Sequence, residues 1–214
     1  LNGANSAAAE FIKQHTTLMS PALAPGIVLY LASEITPLWQ ASEGFLQRHN
    51  IAPPFWAFAW PGSQALAWYV ARHPELVAGR HVLDFAAGCG LAAIACAKAG
   101  AMVDAADIDP LACVAMQLNA AANAVSLNIL EGDIVGSACR WDVILCGDVC
   151  YEAPMAAHIL PWLRESAASA TVIMADPGRA YAPQDGFTEI ARLRVPSLVE
   201  LEDSDSREVV ILRF

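Results

Sequence analysis

From about Arg80 onward, short apolar runs alternate with longer stretches whose apolar positions recur at helical spacing. The short runs predict strands over 81–86, 102–107, 127–131, 142–146 and 170–175, with helices filling the gaps. Strands alternating with helices imply an α/β domain with a parallel sheet wound on both faces. The alternation breaks near the end of the chain. There 189–195 and 208–213 read as two strands joined by an acidic turn over 200–206. Upstream, Ser6 to His15 reads as a helix with Phe11 and Ile12 on one side, and 26–32 as a short strand. Thr36 to Leu46 reads as a helix with Leu38, Trp39 and Leu46 on its apolar face. A breaker cluster, Asn50 to Pro54, follows, and Trp60-Pro61-Gly62-Ser63 opens a helix to about His73. The expected organisation is a helical and extended segment over 1–53 and one α/β domain over 54–214.

The first strand of the alternating region carries the most chemistry. Val82-Leu83-Asp84-Phe85 runs into Ala86-Ala87-Gly88-Cys89-Gly90, and a helix follows from Leu91. A strand, a glycine turn and a helix N-terminus bring backbone N–H groups close to a nucleotide-like ligand. Glycine at 88 and 90 leaves no Cβ where that ligand must approach. Asp107 ends the second strand about twenty residues on, the place for a carboxylate on ribose hydroxyls. Asp109 before Pro110 either contacts the same ligand or caps the helix from Leu111 to about Asn123. The turn departs from the dinucleotide fingerprint, because Ala93 stands where the third glycine belongs. With Asp84 ahead of the glycines it resembles instead the first motif of class I S-adenosylmethionine methyltransferases. In such enzymes an acid after the third strand commonly receives the adenine amino group and the next apolar residue packs on the ring. Here those residues are Asp133 and Ile134, with a plain turn aspartate as the alternative for Asp133.

Two further segments are distinctive. Phe55-Trp56-Ala57-Phe58-Ala59-Trp60 packs four aromatic residues into six positions. The rings either plug the space between the N-terminal segment and the sheet or wall a methyl-donor pocket, with Trp60 favoured for the donor. Sulfonium and alkylammonium cations both favour aromatic faces. The fourth strand ends in Gly147-Asp148-Val149-Cys150-Tyr151, beside the glycine turn in a doubly wound sheet. An acid there suits an aliphatic amine, which a carboxylate can orient. The alternative is an aspartate capping the helix near Glu152.

Charge narrows the substrate class. Twelve basic against 22 acidic residues give a net charge of −10. Such a surface repels a phosphate backbone, and no basic patch offsets it, so nucleic acid is not expected as a substrate. A basic target such as a lysine-bearing protein segment is more compatible. The six cysteines form no CxxC pair and no zinc-like spacing with histidine, so no metal is expected and the thiols read as reduced. No apolar run is long enough to span a membrane, and no signal or transit pattern opens the chain, which points to the cytoplasm.

Five motifs occur in order: Pro54 to Gly62, Val82 to Gly90, Asp107-Ile108-Asp109-Pro110, Gly147 to Tyr151, and Asp176-Pro177-Gly178-Arg179. Together they resemble the electron transfer flavoprotein β-subunit lysine methyltransferases and their bacterial relatives, over roughly residues 25–214. Relatives have often been labelled nicotinamide N-methyltransferases, and the ribosomal protein L11 methyltransferases are more distant kin. The resemblance implies a Rossmann-like class I methyltransferase with a doubly wound, seven-stranded, mostly parallel sheet. A C-terminal hairpin would insert one antiparallel strand. It implies S-adenosylmethionine as cofactor and a protein lysine as methyl acceptor, the electron transfer flavoprotein β subunit being the suspected partner. Donor binding falls to Trp60, Asp84, Gly88, Gly90, Asp107, Asp109, Asp133, Ile134 and Gly147. The family's Asp-x-x-Tyr motif, implicated in substrate recognition, places Asp148 and Tyr151 at the acceptor. The family commonly has glycine where this chain has Ala86. The alternative activity is N-methylation of a small pyridine or amine.

Overall fold

The computed structural model describes residues 3–32, 54–197 and 204–214. After helix α1 (Gly3–His15) come two short strands, β1 (Thr17–Met19) and β2 (Leu29–Leu31), paired antiparallel. A 3₁₀ turn over Phe55–Ala57 leads into α2 (Pro61–Arg72). Then the alternation begins: β3 (His81–Phe85), α3 (Leu91–Lys98), β4 (Met102–Asp107), α4 (Pro110–Ala122), β5 (Asn128–Glu131). It continues through β6 (Val143–Gly147), α5 (Ala153–Ser166) and β7 (Thr171–Asp176), and closes on β8 (Thr188–Pro196) and β9 (Ser206–Arg213). The expected helix over 36–46 and most of the acidic turn over 200–206 lie outside the described residues.

The main sheet has seven strands in the order β5-β4-β3-β6-β7-β9-β8. β3 to β7 are parallel, and β9 enters antiparallel between β7 and β8. The chain moves outward from β3 to β5, then returns to place β6 on the other side of β3. That reversal opens a crevice at the carboxyl ends of β3, β4 and β6, where doubly wound sheets bind ligands.

Strands buried on both faces explain the continuous apolar runs. Val82, Val143, Leu145, Ile173 and Ala175 face a cluster with Leu66 and Val70 of α2, Ile94 of α3 and Met116 of α4. Leu83, Ile144, Cys146, Val172 and Met174 face the other way, onto Ile159, Trp162 and Leu163 of α5. Each large side chain buried in this way contributes roughly 1.5–3 kcal/mol. The N-terminal segment shares a third cluster with the domain, in which Ile12 and Ala32 meet Trp56, Phe58, Ala112 and Ala115. Two asparagines of α4 tie it down further. Asn119 Oδ1 accepts from Tyr30 N at 2.7 Å, and Asn123 Nδ2 donates to the Val28 carbonyl at 2.6 Å.

Candidate active site

The turn after β3 is built by positive φ angles. Ala86, Gly88 and Gly90 have φ of 54°, 53° and 76°. Ala86 is therefore an L-residue held in the left-handed region, which accounts for the glycine common at this place in the family it resembles. Gly90 precedes the first residue of α3, and a Cβ on it would come within 3.0 Å of Met116 Cγ. A Cβ on Gly88 would meet no protein atom within 4 Å, because this face of the turn looks into a cavity.

That cavity has a volume of about 360 Å³, within the usual range for small-molecule sites. Gly88, Asp107, Ile108, Asp109 and Ala112 form its β4 side. Gly147, Asp148, Val149, Tyr151, Met155 and Arg179 form the opposite side, with Phe55, Trp56 and Trp60 completing the wall. The crevice at the strand ends thus brings together seven of the residues named from sequence: Trp60, Gly88, Asp107, Asp109, Gly147, Asp148 and Tyr151.

Asp107 is held ready by backbone alone. Its Oδ2 accepts from Gly88 N at 2.9 Å and its Oδ1 from Asp109 N at 2.9 Å. Burial raises its carboxyl above the usual range, against the pull of those N–H groups. Each carboxylate oxygen can accept twice, so Asp107 keeps capacity for two further hydroxyl donors alongside the two backbone ones. Asp109 takes the helix-capping role and also stands at the cavity. Its Oδ1 caps α4 by accepting from Leu111 N at 2.8 Å, and the residue also lines the cavity. Burial and neighbouring Asp107 push its carboxyl up to about 6, against the Leu111 N–H.

On the other side, Asp148 sits at φ 58° and is 8% exposed. Asp148 does not cap α5, whose N-cap is Glu152. Its Oδ2 instead accepts from Gly62 N in the first turn of α2 at 2.6 Å, so it caps a helix 86 residues earlier in the chain. Its Oδ1 accepts from Arg179 Nη2 at 2.6 Å and Nε at 3.2 Å. The acid that the sequence offers for orienting an amine is therefore already paired with a guanidinium. Two glycines make the arrangement possible. A Cβ on Gly62 would stand 2.5 Å from Asp148 Oδ2 and 2.7 Å from the Ala175 carbonyl oxygen, and one on Gly147 2.9 Å from Ser63 N.

An aromatic arc faces the acids. The Phe55 ring lies 5.5 Å from Tyr151 and 5.8 Å from Trp60, centroid to centroid. Arg179 stands 5.8 Å over the Trp60 ring. Burial, then the negative charges of Glu152 and Asp107, raises the Tyr151 hydroxyl, with Arg179 opposing.

Four residues named for the donor do not line the cavity. Asp84 is buried beneath the turn, where its Oδ2 accepts from Ala93 N at 2.8 Å and fastens the start of α3 to β3. Desolvation, opposed by that N–H and assisted by Asp107, lifts its carboxyl to about 7. It supports the glycine turn from below. Gly90 also shapes the turn from behind. Asp133 takes the Val135 N–H at 2.9 Å and pairs with His158 Nε2 at 2.8 Å on the surface. Ile134 packs against the α5-side core. Arg179 and Met155 line the cavity without having been assigned there from sequence, and Trp56 lines it as one of the rings weighed as a pocket wall. Arg179 carried a signal in the Asp176-Pro177-Gly178-Arg179 motif and Trp56 one in the aromatic run; Met155 carried none. Among the described residues no group of His, Cys, Asp or Glu is placed to hold a metal, and no helix is long and apolar enough to cross a membrane. Cys89 and Cys150 have thiols pushed up to about 12 by burial.

Comparison with known proteins agrees with this geometry. The family model "Ribosomal protein L11 methyltransferase (PrmA)" matches residues 66–150, which span the glycine turn, Asp107 and Asp148. Among solved structures, a putative RNA methyltransferase from Pyrococcus horikoshii superposes with a TM-score of 0.55 at 18% identity, covering 71% of this chain and 81% of that one. The magnesium protoporphyrin IX methyltransferase of Synechocystis PCC 6803 with bound S-adenosylmethionine gives a TM-score of 0.53 at 20% identity, with coverages of 71% and 78%. At those identities the likeness is one of fold. Proteins named electron transfer flavoprotein beta subunit lysine methyltransferase are similar over most of their length. The Danio rerio protein is 34% identical over 95% of this chain and 82% of its own. The Xenopus laevis protein is 39% identical, with coverages of 79% and 70%. The enzyme is therefore an S-adenosylmethionine-dependent methyltransferase, and the chain belongs to the electron transfer flavoprotein beta subunit lysine methyltransferase family.

Proposed function

We propose that this chain methylates lysine side chains of a protein, with the β subunit of electron transfer flavoprotein as its target. The observation that carries the reading is the two-sided cavity, with ribose-type acceptors on one wall and an aromatic, charge-balanced wall opposite. The names of the similar proteins and the net charge of −10, which favours a basic partner, support it. A cytoplasmic setting belongs to the same reading, supported by six unpaired thiols.

S-adenosylmethionine supplies an electrophilic methyl group on a sulfonium. In this reading Asp107 holds the ribose, and the Gly88 backbone allows close approach. Asp109 completes that side, and Gly147 and Trp60 meet the donor from the opposite wall. Asp133 and Ile134 would meet the adenine at the end of β5. Asp84 and Gly90 act through the turn they support. The lysine comes in past Phe55 and Tyr151. Its nitrogen needs a lone pair, so it must react as the neutral amine. Asp148, compensated by Arg179, offers no unbalanced charge that would hold the lysine as ammonium. It places the nitrogen instead, and that placement with exclusion of water is the main contribution of the protein.

The test is incubation with radiolabelled S-adenosylmethionine and purified electron transfer flavoprotein, beside a panel of pyridines and simple amines. Label in the β subunit, located to a lysine by peptide mass spectrometry, is the expected result. Label confined to nicotinamide or another small amine would replace this reading with the small-molecule one.

A further inference from the structure

Asp176, the last residue of β7, is 3% exposed and lies behind the cavity wall. Burial raises its carboxyl above the usual range, against two backbone N–H groups and the Arg179 charge. Its Oδ2 is buried without a hydrogen-bond partner. Its Oδ1 accepts from Gly178 N and from Arg179 N, both at 2.7 Å. Burying a carboxyl costs free energy, and what this one holds is the backbone of a single turn.

That turn carries Arg179 to the β6 side of the cavity. Beyond it, Ala182 N donates to the Arg179 carbonyl and Tyr181 N to the Cys150 carbonyl, both at 3.1 Å, which fastens the turn to the loop after β6. Asp148 N donates to the Ala175 carbonyl at 3.1 Å, next to Asp176. The Arg179 side chain, 19% exposed, ends on Asp148 Oδ1, while Oδ2 takes Gly62 N. Both oxygens of that acid are engaged, and a cation that stays charged at any working pH cancels its charge. Without the cation, a carboxylate in the wall would hold a lysine best as ammonium, which has no lone pair to attack the methyl group.

We propose that Asp176 is a positioning residue for methyl transfer: it sets the backbone of Arg179, and Arg179 cancels Asp148 so that the wall takes the incoming amine in its neutral form. The proposal rests on the reading of the acceptor as a lysine. The other ionisable groups around that amine are Tyr151 and Glu152 on the same side and Asp107 and Asp109 across the cavity. They stay unchanged in every variant below, so a moved titration reports the Asp148–Arg179 pair.

The test is the single-turnover rate of methyl transfer to electron transfer flavoprotein as a function of pH, which reports protons in the loaded enzyme. In wild type the rate should rise with pH as the bound amine deprotonates. In Arg179→Gln the rising limb should move up by about one to two pH units, the scale for one charge within reach. The rate near neutral pH then falls by about tenfold or more and recovers in alkali. Asp176→Ala should move the limb the same way and no further. Asp176→Leu fills the same space without an acceptor and serves if the alanine variant does not fold. Asp176→Asn keeps an oxygen for the two N–H groups and should restore the wild-type limb. A rate lowered equally at every pH in Asp176→Ala or Asp176→Leu would make the residue purely structural and overturn the proposal. So would an unmoved limb in Arg179→Gln, or an Asp176→Asn limb displaced as far as that of Asp176→Ala. No label on any lysine from the wild-type enzyme would overturn the lysine reading and this inference with it, whereas labelled lysine with an unmoved limb overturns the inference alone.

Discussion

On the β4 side of the cavity, the carboxylates of Asp107 and Asp109 are met by backbone N–H groups, with no cation beside them among the described residues. On the β6 side, Asp148 is met by the N-terminus of α2 and by the Arg179 guanidinium. Burial consequently lifts the first two carboxyls. A wall of uncompensated carboxylates suits neutral hydroxyls, which give them charge-assisted hydrogen bonds. A wall whose charge is already balanced suits a reactant that must arrive neutral. In the proposed reading the two halves of one methyl transfer call for opposite electrostatics, and the two sides of β3 differ in that sense.

The largest expected effect comes from the glycines, which act differently on the two sides. Gly62→Ala drives a Cβ into Asp148 and the Ala175 carbonyl. It should destabilise the protein by about 3 kcal/mol in urea unfolding. Gly88→Ala meets no protein atom, so its cost should be only the roughly 1–2 kcal/mol of a left-handed alanine. Its main effect should be on S-adenosylhomocysteine binding, measured by calorimetry. Equal stability losses for the two variants would erase the distinction between a packing glycine and a ligand-facing one.

Asp107→Ala comes next. It removes charge-assisted bonds and should weaken S-adenosylhomocysteine binding by roughly 2–4 kcal/mol while the fold is retained. Unchanged affinity in a folded variant would move the ribose away from the β4 wall.

Asp84 sharpens the contrast through pH. Its folded carboxyl lies near 7 and its unfolded one near 3.8. The folded state therefore binds the extra proton between those values. Stability from this group is full below about pH 4 and is lost as pH rises towards 7, with no further change above. Over pH 5–7 the fall should be on the order of 2 kcal/mol. Asp84→Asn should flatten that slope in urea melts at a series of pH values. A slope unchanged by the substitution would place the titrating group elsewhere.

The smallest effect is expected at Ala86, whose φ of 54° is strained. Ala86→Gly should raise stability by about 0.5–1 kcal/mol, the relief of a left-handed alanine less the extra chain entropy of glycine. A loss of stability on thermal melting would mean that the alanine methyl packs usefully.

Much of this was legible in the chain itself. Strands such as Val143–Gly147 are buried on both faces, so their apolar runs stand out whatever the partner. Gly88 and Asp107 announce themselves because turn geometry and strand ends are local. What sequence could not give was the partner of each acid. Asp84 and Asp107 both fit the donor motif, but one carboxylate turns under the turn to Ala93 and the other lines the cavity. The Asp148 bond to Gly62 joins residues 86 apart, and that to Arg179 joins residues 31 apart. No local pattern encodes either. Trp56 and Trp60 look alike in an aromatic run, and only tertiary packing leaves one N–H satisfied and the other not.

The most direct test of the two-wall account is the rate of methyl transfer to a lysine-bearing protein by Asp148→Asn, with S-adenosylhomocysteine affinity measured alongside. Asparagine tolerates the left-handed backbone here and can still accept from Gly62 N. It removes the carboxylate charge that meets the Arg179 guanidinium, beside the arriving amine. The account predicts S-adenosylhomocysteine affinity within about threefold of wild type and transfer slowed by about tenfold or more. Wild-type transfer, or an affinity loss as large as that of Asp107→Ala, would contradict the assignment of the amine to the β6 wall.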